Sequence, residues 1–201
     1  MSRFPRWLLP VAVLAGLAWW THTPRPIARA PGILAAAAPV QQALDAPAPA
    51  LSRAGAAIRP LAKFSLSARV LSRNDYRWDA GARLAPIDLA LGWGRMSDSA
   101  VLDRIEISQG SRFYFWHVEA FPIPEGEIIA SSANMHLIPA DDAIERAMRR
   151  TRAGDVVSFD GYLVEADWPN GGKWVSSMSR TDSGAGACEL VWVADFRIEP
   201  R

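Results

Sequence analysis

Alternation runs through the larger part of this chain. Phe64, Leu66, Ala68 and Val70 are apolar, while Ser65, Ser67 and Arg69 between them are polar. Side chains of a strand point to opposite faces in turn, so the pattern predicts a strand with one buried face. Further strands are expected over residues 87–91, 112–120, 127–130, 135–138, 156–164, 173–179 and 190–198. Two short helices interrupt them. Ser97 is expected to cap one of them, with Asp98 in the first turn and Val101, Leu102 and Ile105 on its inner face. The second is expected over residues 140–151. It carries Asp141, Asp142 and Glu145 at its positive end, four arginines from Arg146 to Arg152 at its negative end, and Gly154 as its stop. Many short strands with two short helices define a mainly β, α+β class, a small antiparallel barrel or rolled sheet.

Gly154-Asp155-Val156-Val157 opens one strand and Gly161-Tyr162-Leu163-Val164 continues it. A glycine inside a strand lets it bend around a barrel corner. This run resembles the G-D-x-V and G-x-L-V strand pair of OB-like barrels, which implies an OB-like fold for the C-terminal half. Two further segments are Ser131-Ser132-Ala133-Asn134-Met135-His136-Leu137-Ile138-Pro139 and Ser177-Met178-Ser179-Arg180-Thr181-Asp182-Ser183-Gly184. Taken together, residues 85–200 resemble a family of bacterial proteins with one N-terminal membrane segment. That resemblance implies no activity, substrate or site residue.

The beginning of the chain has another character. Arg3 and Arg6 precede an apolar run from Trp7 to Trp20. As a helix this run would span roughly 21 Å, and about 27 Å with Phe4 and Thr21 included, close to the hydrocarbon thickness of a bilayer. Trp19 and Trp20 suit the aromatic belt of a retained anchor. The charged start, the short apolar core and Ala28-Arg29-Ala30 suit a cleaved signal peptide. Residues 1–22 are therefore expected to be a transmembrane anchor or a signal peptide. Both readings export the remainder of the chain. It would be a single-pass inner-membrane protein with its C-terminal domain in the periplasm, or a protein released there by cleavage. Residues 23–60 hold Pro24-Arg25-Pro26 and Ala46-Pro47-Ala48-Pro49-Ala50 and read as an extended linker, with helical turns over 33–38 and 40–44. Residues 61–201 are expected to be the β-rich globular domain.

Charge narrows the partners. The formal net charge of +1 conceals six arginines against Asp45 alone in residues 1–60, and sixteen Lys/Arg against twenty Asp/Glu beyond. An acidic globular part argues against nucleic acid, which is bound by neutralising phosphates. The inner membrane, and an envelope protein or glycan, are the expected partners. Six tryptophans in the folded part, among them Trp168 in Asp167-Trp168-Pro169-Asn170-Gly171, can stack on sugar rings or fill a small core. Trp116 and Trp192 are expected inside, and Trp168 on an exposed loop tip. These features point to a membrane-tethered, non-enzymatic accessory or binding domain.

Chemistry has few carriers. His117 and Glu119 lie two apart on an expected strand, so they share a face with Phe113 and Phe115 and can contribute to a ligand platform or an ion pair. No Cys or His cluster accompanies them, so neither a metal nor a cofactor is expected. Cys188 is the single cysteine and follows the glycine-rich Ser183-Gly184-Ala185-Gly186-Ala187. A lone cysteine is often a small buried hydrophobe. It can also be a nucleophile, with His136 or His117 as base and Asn134, Asp182 or Glu189 as orienter. The set Cys188, His136 and Asn134 carries the alternative reading, a cysteine-dependent hydrolase or transpeptidase of the cell envelope. The Ser-His-Gly-Cys signature of exported cysteine transpeptidases is absent.

Overall fold

The computed structural model describes residues 25–45, 48–179, 182, 184 and 186–200. The expected anchor over residues 1–22 lies outside them. Among the described residues no helix is long and apolar enough to cross a membrane.

One long strand organises the sheet. β3 (Ala56–Asp75) alternates buried and exposed residues from Ala56 onward, five residues before the expected start of the domain. Its first part pairs antiparallel with β8 (Val156–Asp167), and its last part with β4 (Ile87–Gly92). Register shifts fall between Pro60 and Ala62 and between Val70 and Ser72. Pro60 has no N–H to give to a ladder, and a bulge is where a strand tolerates that. β7 (Ser132–Pro139) runs antiparallel to β4 and parallel to β10 (Glu189–Ile198), which in turn lies antiparallel to β8. The pairings therefore run β3–β4–β7–β10–β8 and return to β3. β9 (Lys173–Val175) extends β8 on its other side. At Gly161 an added Cβ would fall 1.8 Å from the Trp192 carbonyl oxygen, so only glycine admits β10 this close.

The protein is mainly β with three short α-helices among the described residues. α1 (Ser99–Leu102) is capped by Asp98, whose carboxylate accepts the Ala100 N–H; Ser97, expected as the cap, serves another segment. α2 (Glu125–Ala130) replaces the strand expected over 127–130. Pro124 opens it, its carbonyl takes the Glu127 and Ile128 N–H groups, and Ile128 is buried. α3 (Asp142–Met148) is shorter than expected but begins as read: Asp141 accepts the N–H groups of Ala143 and Ile144. β5 (Glu106–Gly110) and β6 (Phe113–His117) form a separate hairpin between α1 and α2. The strand expected over 112–120 is thus trimmed at both ends, since Arg112 sits in the turn and Glu119 follows the pairing.

The expected linker is also corrected. Ile27 N–H donates to the Ala153 carbonyl, and the Leu34 and Ala35 N–H groups donate to Ser97 Oγ. Gly154, at φ +91°, leaves room for the Ile27 carbonyl, which a Cβ would meet at 2.1 Å. β1 (Val40–Gln42) and β2 (Leu51–Arg53) pair with β3, where helical turns and extended chain were expected. Ala-Pro composition disfavours helix, yet the free edge of β3 still offers hydrogen bonds to short extended segments. Three apolar clusters fill the interior. The largest joins Phe64, Leu66, Leu89, Leu137 and Phe159; a smaller one under the hairpin holds Met96, Ile105, Ile123 and Ile128.

Candidate active site

Strand pairing brings together what the sequence keeps apart. Within the apolar strand β4, Asp88 is the one charged residue, and the antiparallel register sets it opposite His136 on β7. On the other side of β7, His136 stands level with Leu190 of β10, so Cys188 just ahead of β10 arrives beside it. His136 Nδ1 lies 3.0 Å from Asp88 Oδ2, an ion-pair distance, with the ring N–H aimed somewhat off the oxygen. Both side chains are buried, Asp88 completely. Burial alone would lower the basicity of His136. The Asp88 carboxylate and the hydrogen-bonding sulfur of Cys188 outweigh it and push the imidazole up to about 9. An imidazolium held beside a sulfur stabilises the thiolate, which is the nucleophilic form of cysteine.

Cys188 itself is partly exposed. It lines a cleft of about 160 Å³ whose walls include Trp93, Tyr114, Trp116, Asn134 and Asp182. Asn134 Nδ2 donates to the sulfur at 3.9 Å and to the Arg112 carbonyl at 3.1 Å, while its Oδ1 accepts from Gln109 Nε2 at 2.7 Å. Asn134 was expected as the orienter of the histidine. It contacts the sulfur instead, because Asp88 already faces Nδ1. Asp182 accepts from Ser177 Oγ at 2.6 Å on the loop that leads to Cys188. Tyr114 turns inward with its hydroxyl 3.0 Å from Ser132 Oγ; burial pushes its phenol up to about 12, with that hydrogen bond opposing.

The other expected residues lie elsewhere. His117 ends β6 opposite Glu106, and Glu119 follows it; both are exposed and line a surface cavity with Asp103 and Arg104. Phe113 and Phe115 share that outward face. His117 is thus not assembled with Cys188, and among the described residues no three His, Cys, Asp or Glu side chains converge as metal ligands. Trp168 is half-buried against the cluster that holds Trp192, not free on a loop tip. It lines a groove with Trp174, Asn170 and Lys173. Trp192 is buried as expected, whereas Trp116 is half-buried on the cluster beneath the hairpin.

Sequence reasoning missed Asp88 and Arg112. A signal for Asp88 was present. A carboxylate in the middle of Ile87-Asp88-Leu89-Ala90-Leu91 must be buried with that strand, and buried charges need partners. Arg112 had no such signal, because its role depends on the hairpin turn. No family model, curated protein or solved structure matches this chain.

Proposed function

We propose that the protein is a cysteine-dependent acyl hydrolase or acyl transferase, with Cys188 as nucleophile, His136 as acid and base, and Asp88 as the group that orients the imidazole. The observation that carries this reading is the Asp88–His136–Cys188 chain, held by β4, β7 and the segment that enters β10, with Cys188 on the wall of an open cleft. A purely structural cysteine would need neither the imidazole nor the opening.

In this reading the Cys188 thiolate attacks a substrate carbonyl carbon and forms a carbon–sulfur bond. Asn134 Nδ2, already at the sulfur, is placed to donate to the oxyanion. The tetrahedral species collapses with cleavage of the carbon–nitrogen or carbon–oxygen bond, and the imidazolium gives its proton to the leaving group. His136 then takes a proton from water, or from an acceptor amine, as that molecule attacks the thioester. The new carbon–oxygen or carbon–nitrogen bond forms, the carbon–sulfur bond breaks, and the thiolate–imidazolium pair is restored. The aromatic walls of the cleft favour an acyl donor with an apolar or ring-bearing portion.

Strand order supports the finer fold reading. Five strands pair in the order first, second, third, fifth, fourth and back to the first, with one parallel pair and a helix between third and fourth. We read this as an OB-like barrel, whose second and third strands and adjoining loops commonly form the ligand face. Asp88 and His136 lie on those two strands. A location on the periplasmic face of the inner membrane, with an envelope peptide or glycan as partner, belongs to the same proposal and rests on the apolar run of residues 7–20.

The test uses an activated ester. Full-length protein mixed with p-nitrophenyl acetate should release a stoichiometric burst of nitrophenolate and carry an acetyl group on Cys188 by mass spectrometry. Cys188→Ala should show neither. Absence of the adduct in folded protein, with the thiol modified only after denaturant is added, would return the protein to the non-enzymatic binding reading.

A further inference from the structure

We infer that Arg112 is a positioning residue of this site, which clamps Asp88 and supplies a second positive charge beside the thiolate–imidazolium pair. The inference rests on the proposed role of Cys188. Two acidic groups, the Asp88 carboxylate and the thiolate, flank a single imidazolium. Left to themselves they would bury one net negative charge, which a site of low polarity disfavours.

Arg112 meets that need from several directions. Its Nη1 donates to Asp88 Oδ1 at 2.8 Å, on the oxygen that His136 does not face, and to the Ala85 carbonyl at 2.8 Å. Its Nε and Nη2 reach the carboxylate of Asp79 at 3.2 and 2.8 Å. The guanidinium lies 3.6 Å from the centroid of the Tyr76 ring and 5.5 Å from that of Trp174, which packs on His136. The backbone of the same residue completes the arrangement. Its N–H donates to Tyr76 Oη at 2.9 Å, and its carbonyl accepts from Asn134 and from Cys188 Sγ, the latter at 3.8 Å.

Ser111 and Arg112 form the two-residue turn of the β5–β6 hairpin, both at positive φ, 51° and 70°, as a type I′ turn requires, so the turn fixes the backbone that carries the guanidinium. One residue thus fixes the far oxygen of the orienting carboxylate and the wall beside the nucleophile. The charged and titratable groups facing the clamp are Asp79 and Tyr76 after β3, Asp88 on β4, His136 on β7 and Lys173 on β9, and Asp182 and the buried Glu189 line the cleft with Cys188. Asp79 is 38% exposed and screened by water, so the fully buried Asp88 feels most of the guanidinium charge.

The experiment measures iodoacetamide alkylation of Cys188 in the full-length chain across pH, with melting temperature recorded on the same samples. In the wild type, labelling should proceed below pH 8 and slow in His136→Ala. Arg112→Met should raise the pH midpoint of labelling by about one unit and slow the reaction at pH 7 about tenfold. Arg112→Lys restores the charge without the planar fork, so it should melt lower yet keep the midpoint. A merely structural arginine would lower melting in both variants and leave both midpoints alone. Superimposable wild-type and Arg112→Met profiles, or an equal shift in Arg112→Lys, would overturn the inference while sparing the thiol reading. If Arg112→Met does not fold, Asp79→Asn decides: releasing the guanidinium from its exposed partner should lower the midpoint by a few tenths of a unit, and no change overturns the proposal. A wild-type thiol that labels only in denaturant overturns the thiol reading and this inference with it.

Discussion

Two histidines of this protein occupy opposite situations. His117 stands at the end of β6 with Glu119 two residues away, a proximity written in the sequence, and the pair lies on an exposed edge. His136 and Asp88 are far apart in the chain, yet strand register places them face to face in the interior. Water screens the first pair and competes for its hydrogen bonds. The second has lost its water, so each polar group depends on the partner the fold provides. Spacing along one strand identifies neighbours on a face. Pairing between strands determines which neighbours are buried together, and there the chemistry becomes strong.

Substitution at each histidine tests this contrast most directly. His136→Ala should reduce acylation of Cys188 by on the order of a hundredfold or more, as expected when a general acid–base is removed. If His117→Ala slows the reaction equally, the distinction between the two regions collapses. Next in size is Asp88→Asn, read by chemical denaturation. It leaves Arg112 with its exposed partner Asp79 alone and the buried His136 imidazolium without its carboxylate, and should cost about 3–5 kcal/mol.

The pH dependence of stability gives a third measure. The folded-state value of His136, about 9, stands above that of an unfolded histidine, so its protonation stabilises the fold. That contribution is fully present below about pH 6.5 and is lost as pH rises through about 9. In Cys188→Ala, where no thiolate gives up a proton to offset that gain, the protein should therefore melt progressively lower as pH rises above about 6.5. Adding His136→Gln should flatten that part of the curve; an unchanged slope would show that the imidazole is not charged in the fold. The smallest effect belongs to His117→Ala, which should alter stability by no more than about 0.5 kcal/mol, the range of surface substitutions. A larger loss would mean that the exposed face is packed against something.

Much of the framework was legible along the chain. Alternation announced β3, and an acidic start with a basic end announced α3, because those signals arise from residues within one element. α2 was misread since Glu127-Ile128-Ile129-Ala130 is too short for periodicity to distinguish strand from helix, and the proline before it decided the matter. The segment from Arg25 to Pro60 was read as a spacer from its composition. Its hydrogen bonds to Ala153, Ser97 and β3 come from distant parts of the chain, which composition does not register.

The candidate site divides in the same way. Residue chemistry alone made Cys188, His136 and Asn134 a conceivable set, since one thiol, one imidazole and one amide are what such a site requires. It could not assign their roles. Those follow from register: Asp88 is opposite His136 because β4 and β7 pair where they do, and a slip of one residue would turn the carboxylate to the other face of the sheet. Arg112 enters only because the β5–β6 hairpin turns back over β4 and carries its guanidinium to Asp88. The sequence by itself therefore determined the strand-forming patterns, the helix ends and the inventory of reactive groups, all of which depend on local sterics and hydrophobicity. Tertiary structure alone decided which charges are buried together, because that energy exists only after water has been removed from between them.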